Sequence, residues 1–346
     1  MWKSIILGIG FGDAFGSGIE GQDREWIKEN VDFTKYVDVR EGKFSKGYKL
    51  GDYSDDTSDT IAVINCLTNN QPFTEENLLK EIHKQYNINK EIRNGIPKAG
   101  YGIISKFFEN EMTLEEIKNF QKSKKYPGNA PAMRAIPFGF LSEELIDKYA
   151  IINAEVTHPH PKSRAASILI ARGVQYLLFH KHDKELIFQK HDKESNPKNK
   201  IISYCKQFIK DIDTETYDYL EVIDSFDNHI DKFIIGEAPS TSYCKMIGEQ
   251  PITSFMTGKP IVGLNSDSMR TAGTALYLVK HCNSAFEGFK RSIEIGGDVD
   301  SLAAIVVGML AIIYDIDDLP NFIFENLEDK DKLVEIGEKF NAYLKK

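Results

Sequence analysis

Along most of this chain apolar residues recur at the three-and-four spacing of an α-helix, and strand-like alternation is scarce. Thr74 precedes two glutamates and the apolar positions 78, 79, 82 and 86, which predicts a capped amphipathic helix. Thr113-Leu-Glu-Glu116 is a capping box that opens another. From Ser163 to His180 the face Ile168, Leu169, Ala171, Val174, Leu177 and Leu178 predicts a third. The stretch from Ser301 to Tyr314 is apolar nearly all round, as expected of a helix buried on every side. A short apolar helix from Thr60 to Leu67 follows a polar run. Only residues 31 to 50 leave room for a short strand or two. The pattern predicts an all-α fold.

Residues 180–200 break the helical period. Lys181-His-Asp-Lys-Glu185 recurs as Lys190-His-Asp-Lys-Glu194, followed by Ser195-Asn-Pro-Lys-Asn199. Such a tract buries too little apolar surface to order itself strongly, so it reads as a solvated, charged insertion or loop. Its His-Asp pairs invite comparison with metal phosphohydrolases. Those enzymes need further histidines and an aspartate on neighbouring helices, and no such set flanks the tract.

Composition narrows the classes. The 346 residues are 41% hydrophobic and 27% charged, enough for a large core. A prior of about 150 residues per domain suggests two domains. The formal net charge of −9 argues against general nucleic-acid binding, which needs a basic face. No run of about 18 uncharged apolar residues points to a membrane span, and the N-terminus lacks a signal-peptide cleavage pattern. Cys66, Cys205, Cys244 and Cys282 are scattered without a Cys-x-x-Cys pair, fitting reduced thiols. The expectation is a cytoplasmic, acidic protein, with a monomer favoured.

Candidate chemistry lies at the two ends. Ser54-Asp55-Asp56 stands in the polar run from Gly51 to Thr60, and Asp298, Asp300 and Ser301 stand in Gly296-Gly-Asp-Val-Asp-Ser301. Each motif heads an apolar helical stretch. Ser and Asp are ordinary helix caps, yet one cap needs only one such side chain. Four carboxylates at two helix starts cost folding energy unless a cation or strong donor answers them. If the motifs meet, they make an oxygen-only cage for a hard divalent ion, and the chain then closes as one domain over residues 1–346. Asp13, in an apolar stretch, reads as a buried hydrogen-bonding residue rather than a ligand. Gly8-x-Gly10-x-Gly12 lacks the third glycine and preceding strand of a dinucleotide fingerprint and is rejected as one.

Taken together, these segments resemble the ADP-ribosylglycohydrolase family. Tyr53-Ser-Asp-Asp-Thr57 matches its aromatic-Thr-Asp-Asp-Thr motif, with serine for threonine. Gly296-Gly-Asp-Val-Asp-Ser301, leading into Leu-Ala-Ala-Ile305, matches its Gly-Gly-Asp-Thr-Asp-Thr motif and alanine-rich helix. Gly12-Asp-Ala-Phe-Gly-Ser-Gly-Ile-Glu20, Gly128-Asn-Ala-Pro-Ala-Met-Arg134 and Thr157-His158 match further segments in order. Ala130 and Pro131 depart from it, since glycine is common there in the family.

The resemblance implies a compact, multi-helix orthogonal bundle with a binuclear Mg²⁺ or Mn²⁺ centre in a central cleft. Carried over by position, the metal ligands are Ser54, Asp55, Asp56, Asp298, Asp300 and Ser301. Both serines keep the hydroxyl oxygen that coordination needs. Asp55 and Asp300 are also counted as catalytic, and Glu20, in a glycine-rich segment able to close over a ligand, is the acid/base candidate. Gly128, Asn129, Arg134 and His158 are the substrate-binding candidates. Arg134 has an equal alternative as a structural ion pair, and His158 as a helix cap. The implied reaction is metal-dependent hydrolysis of the glycosidic bond between ADP-ribose and an acceptor, on an ADP-ribosylated protein or a small ADP-ribosyl derivative. The alternatives are an inactive ADP-ribose-binding or structural relative and a Mg²⁺-dependent nucleotide phosphohydrolase.

Overall fold

Two helices from opposite ends of the sequence, Trp2–Ser17 and Val299–Leu310, lie together at the centre of the computed structural model, which describes residues 1–41, 46–182, 196–227 and 242–346. Every residue of Val299–Leu310 is buried. The contact is close because Gly8, Gly12 and Gly16 stand four apart on one helical face. A methyl group at Gly16 would overlap the Asp300 backbone, one at Gly12 the Ala303 backbone, and one at Gly8 would press on Val307 at 3.1 Å. Numbers rise on one helix as they fall on the other, so the two run antiparallel. Glycine inside a helix costs roughly 0.5–1 kcal/mol relative to alanine. Close backbone packing offsets that cost through the added dispersion contacts. The run rejected as a nucleotide fingerprint is therefore a packing groove.

That register sets the end of Trp2–Ser17 beside the second acidic motif. The opposite face of the helix carries Lys330–Tyr343, where Gly10 would meet Leu333 and Trp2 meets Phe340 edge-on at 4.5 Å. Asp55–Thr68 packs on Trp2–Ser17 and on Glu75–Ile92. Pro161–His180, Ser268–His281 and Ala285–Ile293 complete the surroundings of the buried helix, and Glu143–Thr157 packs on Pro161–His180 and Glu75–Ile92.

The helix signals hold with small boundary shifts. Thr74 caps Glu75–Ile92 by accepting from the Asn77 N–H at 3.2 Å, and the Thr113 capping box closes reciprocally on Glu116. The helix expected from Thr60 starts at Asp55, which places both carboxylates of the first motif in its opening turn. The expectation of strands in 31–50 fails among the described residues. Asp32 accepts from the Thr34 N–H, and Phe33 adopts φ 58°, so the chain turns where a strand would extend. The one sheet among the described residues is a hairpin pairing Ile252–Thr253 with Pro260–Ile261. The core of the charged tract, 183–195, lies outside the described residues. Its tail is not solvated as expected: Lys198 is buried, donates Nζ to the Cys282 carbonyl, and is lowered to about 8 by burial. No helix among the described residues is long and apolar enough to cross a membrane.

Candidate active site

The second acidic motif is shaped by its two glycines. Gly296 and Gly297 both adopt φ 78°, in the left-handed region open to glycine. Between them they thread the gap separating Gly21–Gln22 from Gly263–Leu264. Gly21 N–H donates to the Gly297 carbonyl at 2.9 Å, Gly297 N–H to the Gln22 carbonyl at 3.0 Å, and Asp298 N–H to the Leu264 carbonyl at 2.9 Å. These bonds bring Glu20 against Asp298 and Asp300. Carboxylate oxygens of Glu20, Asp298 and Asp300 lie within 4.8 Å of one another, and so do those of Asp13, Asp56 and Asp300. Asp300 belongs to both groups.

Capping does not account for this arrangement. Asp298 sits at the N-cap of Val299–Leu310 but its side chain makes no capping bond. Its Oδ2 accepts from Asn129 Nδ2 at 2.7 Å instead. Ser54 does cap its helix, loosely, accepting from the Asp56 N–H at 3.4 Å while donating to Asp56 Oδ2 at 3.1 Å. The other oxygen of Asp56, Oδ1, is buried and has no hydrogen-bond partner. The Ser301 side chain pulls Asp56 and Asp298 downward, but burial leaves both above the usual carboxylate range.

Asp13 takes the hydrogen-bonding role read from sequence. It accepts from the N–H groups of Ser54 at 2.7 Å and Thr57 at 2.9 Å and from Thr57 Oγ1 at 2.6 Å. In effect it caps the Asp55–Thr68 helix from outside. Sequence reasoning did not foresee that it also joins one of the carboxylate groups.

Electrostatics decide what such a site needs. Burial first, then the charge of Asp298, Asp55 and Asp13, pushes Glu20 well above the usual carboxylate range. Burial likewise leads for Asp300, followed by Glu20 and Asp56, and for Asp55, followed by Asp59 and Asp13. Asp56 is raised by burial, then by Asp13 and Asp55. So many buried carboxyl groups cannot ionise together without a compensating cation. An all-oxygen donor set with an unpartnered buried oxygen fits a hard divalent ion. Asp55 stands slightly apart, outside both three-carboxylate groups, with its carboxylate against the Gly100 backbone.

Glu20, Asp55, Asp56, Asp298 and Asp300 line a cleft of about 620 Å³, within the range of ligand pockets. Gly128, Asn129, Arg134 and His158 line it as well. Asn129 holds Asp298 and Thr271 rather than standing free. Arg134 matches its ion-pair alternative: it is buried, paired with Asp59, and its remaining donors go to Asn153 and Thr157. His158 caps the Glu143–Thr157 helix. Its Nδ1 contacts Thr157 Oγ1 at 2.9 Å, and a methyl at Gly128 would come within 2.9 Å of Nε2, so the two residues face each other. Burial, then the Arg134 charge, lowers it to about 3, so the imidazole is neutral. The segment from Ile96 to Ser105 forms another side of the cleft, and Phe255, half exposed on the hairpin, stands at it too. Sequence reasoning passed over that segment; its signal was the pair of glycines around Tyr101.

A helical scaffold that converges carboxylates and hydroxyls from distant parts of the sequence on one cleft gives a donor set suited to hard divalent cations. The chain belongs to the ADP-ribosylglycohydrolase family, whose pattern it matches over residues 3–346. It is 22% identical over 343 residues to the ADP-ribosylhydrolase ARH3 of Homo sapiens, covering 92% of this chain and 86% of that protein. An uncharacterised protein of Archaeoglobus fulgidus is 21% identical over 347 residues, with 98% and 95% covered. Among solved structures, an ADP-ribosylglycohydrolase-related protein complex superposes with a TM-score of 0.65 at 16% identity, covering 99% of this chain and 97% of that one. That likeness extends the family assignment to the fold.

Proposed function

We propose that this chain is a metal-dependent hydrolase that cleaves the glycosidic bond joining ADP-ribose to an acceptor on a modified protein or small derivative. The observation that carries the reading is the convergence of Glu20, Asp56, Asp298 and Asp300 on one cleft, with Asp13 beside Asp56 and Asp300. Ser54, Asp55, Asp56, Asp298, Asp300 and Ser301 are assigned as the residues that hold two divalent cations, Mg²⁺ or Mn²⁺. When bound, such cations supply charge neutralisation and Lewis-acid polarisation of the ribose diol.

The chain's own groups do the rest. Water adds to the anomeric carbon, the bond to the acceptor breaks, and the acceptor leaves with a proton. Glycosidic cleavage passes through an oxocarbenium-like state, with a carboxyl group commonly moving that proton. Glu20 is the residue for it, held beside Asp298 and Asp300 by the Gly21–Gln22 bonds to Gly297. Asp298 is oriented by Asn129, and neutral His158 offers its imidazole beside Gly128 without adding charge. Arg134 serves by fixing Asp59 and Thr157 at the cleft wall, the structural alternative to a direct substrate contact.

The test is ADP-ribose release from arginine-, serine- and otherwise linked ADP-ribosyl substrates, with Mg²⁺ and with EDTA. Release in Mg²⁺ alone, lost in Asp300→Ala, is the expected result. Phosphate release instead identifies a nucleotide phosphohydrolase. ADP-ribose binding without release under either condition identifies a binding protein, and full activity of Asp300→Ala sinks the site assignment.

A further inference from the structure

We propose that Tyr48, clamped between Arg40 and Arg93, is a positioning residue that holds the Pro97–Gly102 loop so that Gly100 seats the Asp55 carboxylate for cation binding. The proposal rests on the reading of Asp55 as a metal ligand. Gly100 has φ 98°, and a methyl group on it would overlap Asp55 Oδ1, so the carboxylate lies directly on this backbone. A small displacement of the loop therefore moves or frees Asp55.

Two anchors immediately precede Gly100. Lys98 donates Nζ to the Tyr53 carbonyl at 2.7 Å and pairs with Glu328. The Ala99 N–H donates to Tyr48 Oη at 2.7 Å. Tyr48 is in turn held on both ring faces, with the guanidinium carbons of Arg40 and Arg93 at 4.0 and 3.7 Å from its centroid. Arg40 is fixed by two bonds to Asp38, and Arg93 by Asp52 and the Lys46 carbonyl. Tyr48 lines the cleft, yet its oxygen accepts from the loop backbone. Burial raises the phenol, so Oη keeps its hydrogen while a lone pair accepts.

Mg²⁺ binding by calorimetry on the full chain, with Tm in EDTA to check folding, tests the assignment. Tyr48→Phe keeps the clamped ring and removes only the acceptor. Gly100→Ala puts a methyl on Asp55. Gly95→Ala is the control, because Gly95 shares the left-handed backbone at φ 89° but a methyl there meets nothing within 4 Å. The expected result is a Mg²⁺ affinity lowered about tenfold or more in Tyr48→Phe and Gly100→Ala, the usual cost of losing an outer-shell partner, with Gly95→Ala like the parent. If Gly100→Ala does not fold, Tyr48→Phe decides alone. Tyr48→Phe binding within twofold of the parent overturns the proposal, as does an equal loss in Gly95→Ala. A parent chain that takes up no Mg²⁺ or Mn²⁺ overturns the metal reading itself, and the two failures are thereby distinct.

Discussion

Replacing Arg134 with methionine separates its two readings, ion pair and substrate ligand. Arg134 is 1% exposed, and its guanidinium binds Asp59, Asn153 Oδ1 at 2.7 Å, the Asn153 carbonyl at 3.1 Å and Thr157 Oγ1 at 2.8 Å. Asp59 is 2% exposed, and its second oxygen already lacks a hydrogen-bond partner. Arg134→Met would strand a buried carboxylate together with an amide and a hydroxyl. Breaking one side of such a pair costs about 3–5 kcal/mol. At about 2 °C per kcal/mol, the low end for a chain this long, Tm falls by about 6–10 °C. Adding Asp59→Leu removes the stranded charge and is expected to recover at least half of the loss. Thermal unfolding in EDTA measures stability, and ADP-ribose titration well below Tm measures binding. Intact stability with ADP-ribose affinity lost more than tenfold would refute the ion-pair reasoning and return Arg134 to the substrate.

Two other outcomes follow from packing and charge. Gly12→Ala drives a methyl into the Ala303 backbone, so it should cost about 1–3 kcal/mol by overpacking, read as a lower midpoint in urea, whereas Gly258→Ala, in open space, should show no overlap penalty of this kind. For pH, His158 and His281 are both lowered to about 3, chiefly by burial. The unfolded chain binds their protons near pH 6.5 while the folded chain refuses them, so their contribution is present above about 6.5 and lost as pH falls toward 3. His158→Gln should flatten that slope in pH-dependent denaturation, and an unchanged slope counts against a buried neutral imidazole.

Local signals were readable because their physics is local. The Thr74 and Thr113 caps involve neighbours within one turn, so spacing alone places them. The acidic motifs stood out because more polar groups gathered at each helix start than capping can use. Residues 31–50 misled because an aspartate turn and a left-handed Phe33 override the strand-like composition. Gly8, Gly12 and Gly16 form a four-residue repeat in the sequence, but Gly8 and Gly12 were weighed only within the rejected Gly8-x-Gly10-x-Gly12 fingerprint; the helix they pack on lies far along the chain. Tyr48 and Gly100 were invisible for the same reason, since nothing near them in sequence reveals a carboxylate from a different element.

The antiparallel pairing of Trp2–Ser17 with Val299–Leu310 also dictates when the site can come into being. Synthesis proceeds from the N-terminus, so the first apolar helix emerges long before the partner that covers it. Joining them closes a loop running from Gly18 to Asp298, an entropic toll that grows slowly with length but delays the contact. Until then the glycine groove is exposed and prone to misassembly. Glu20 and Asp13 reach Asp300 only once that groove is filled, so the acidic cluster exists only in a chain whose two distant helices have paired.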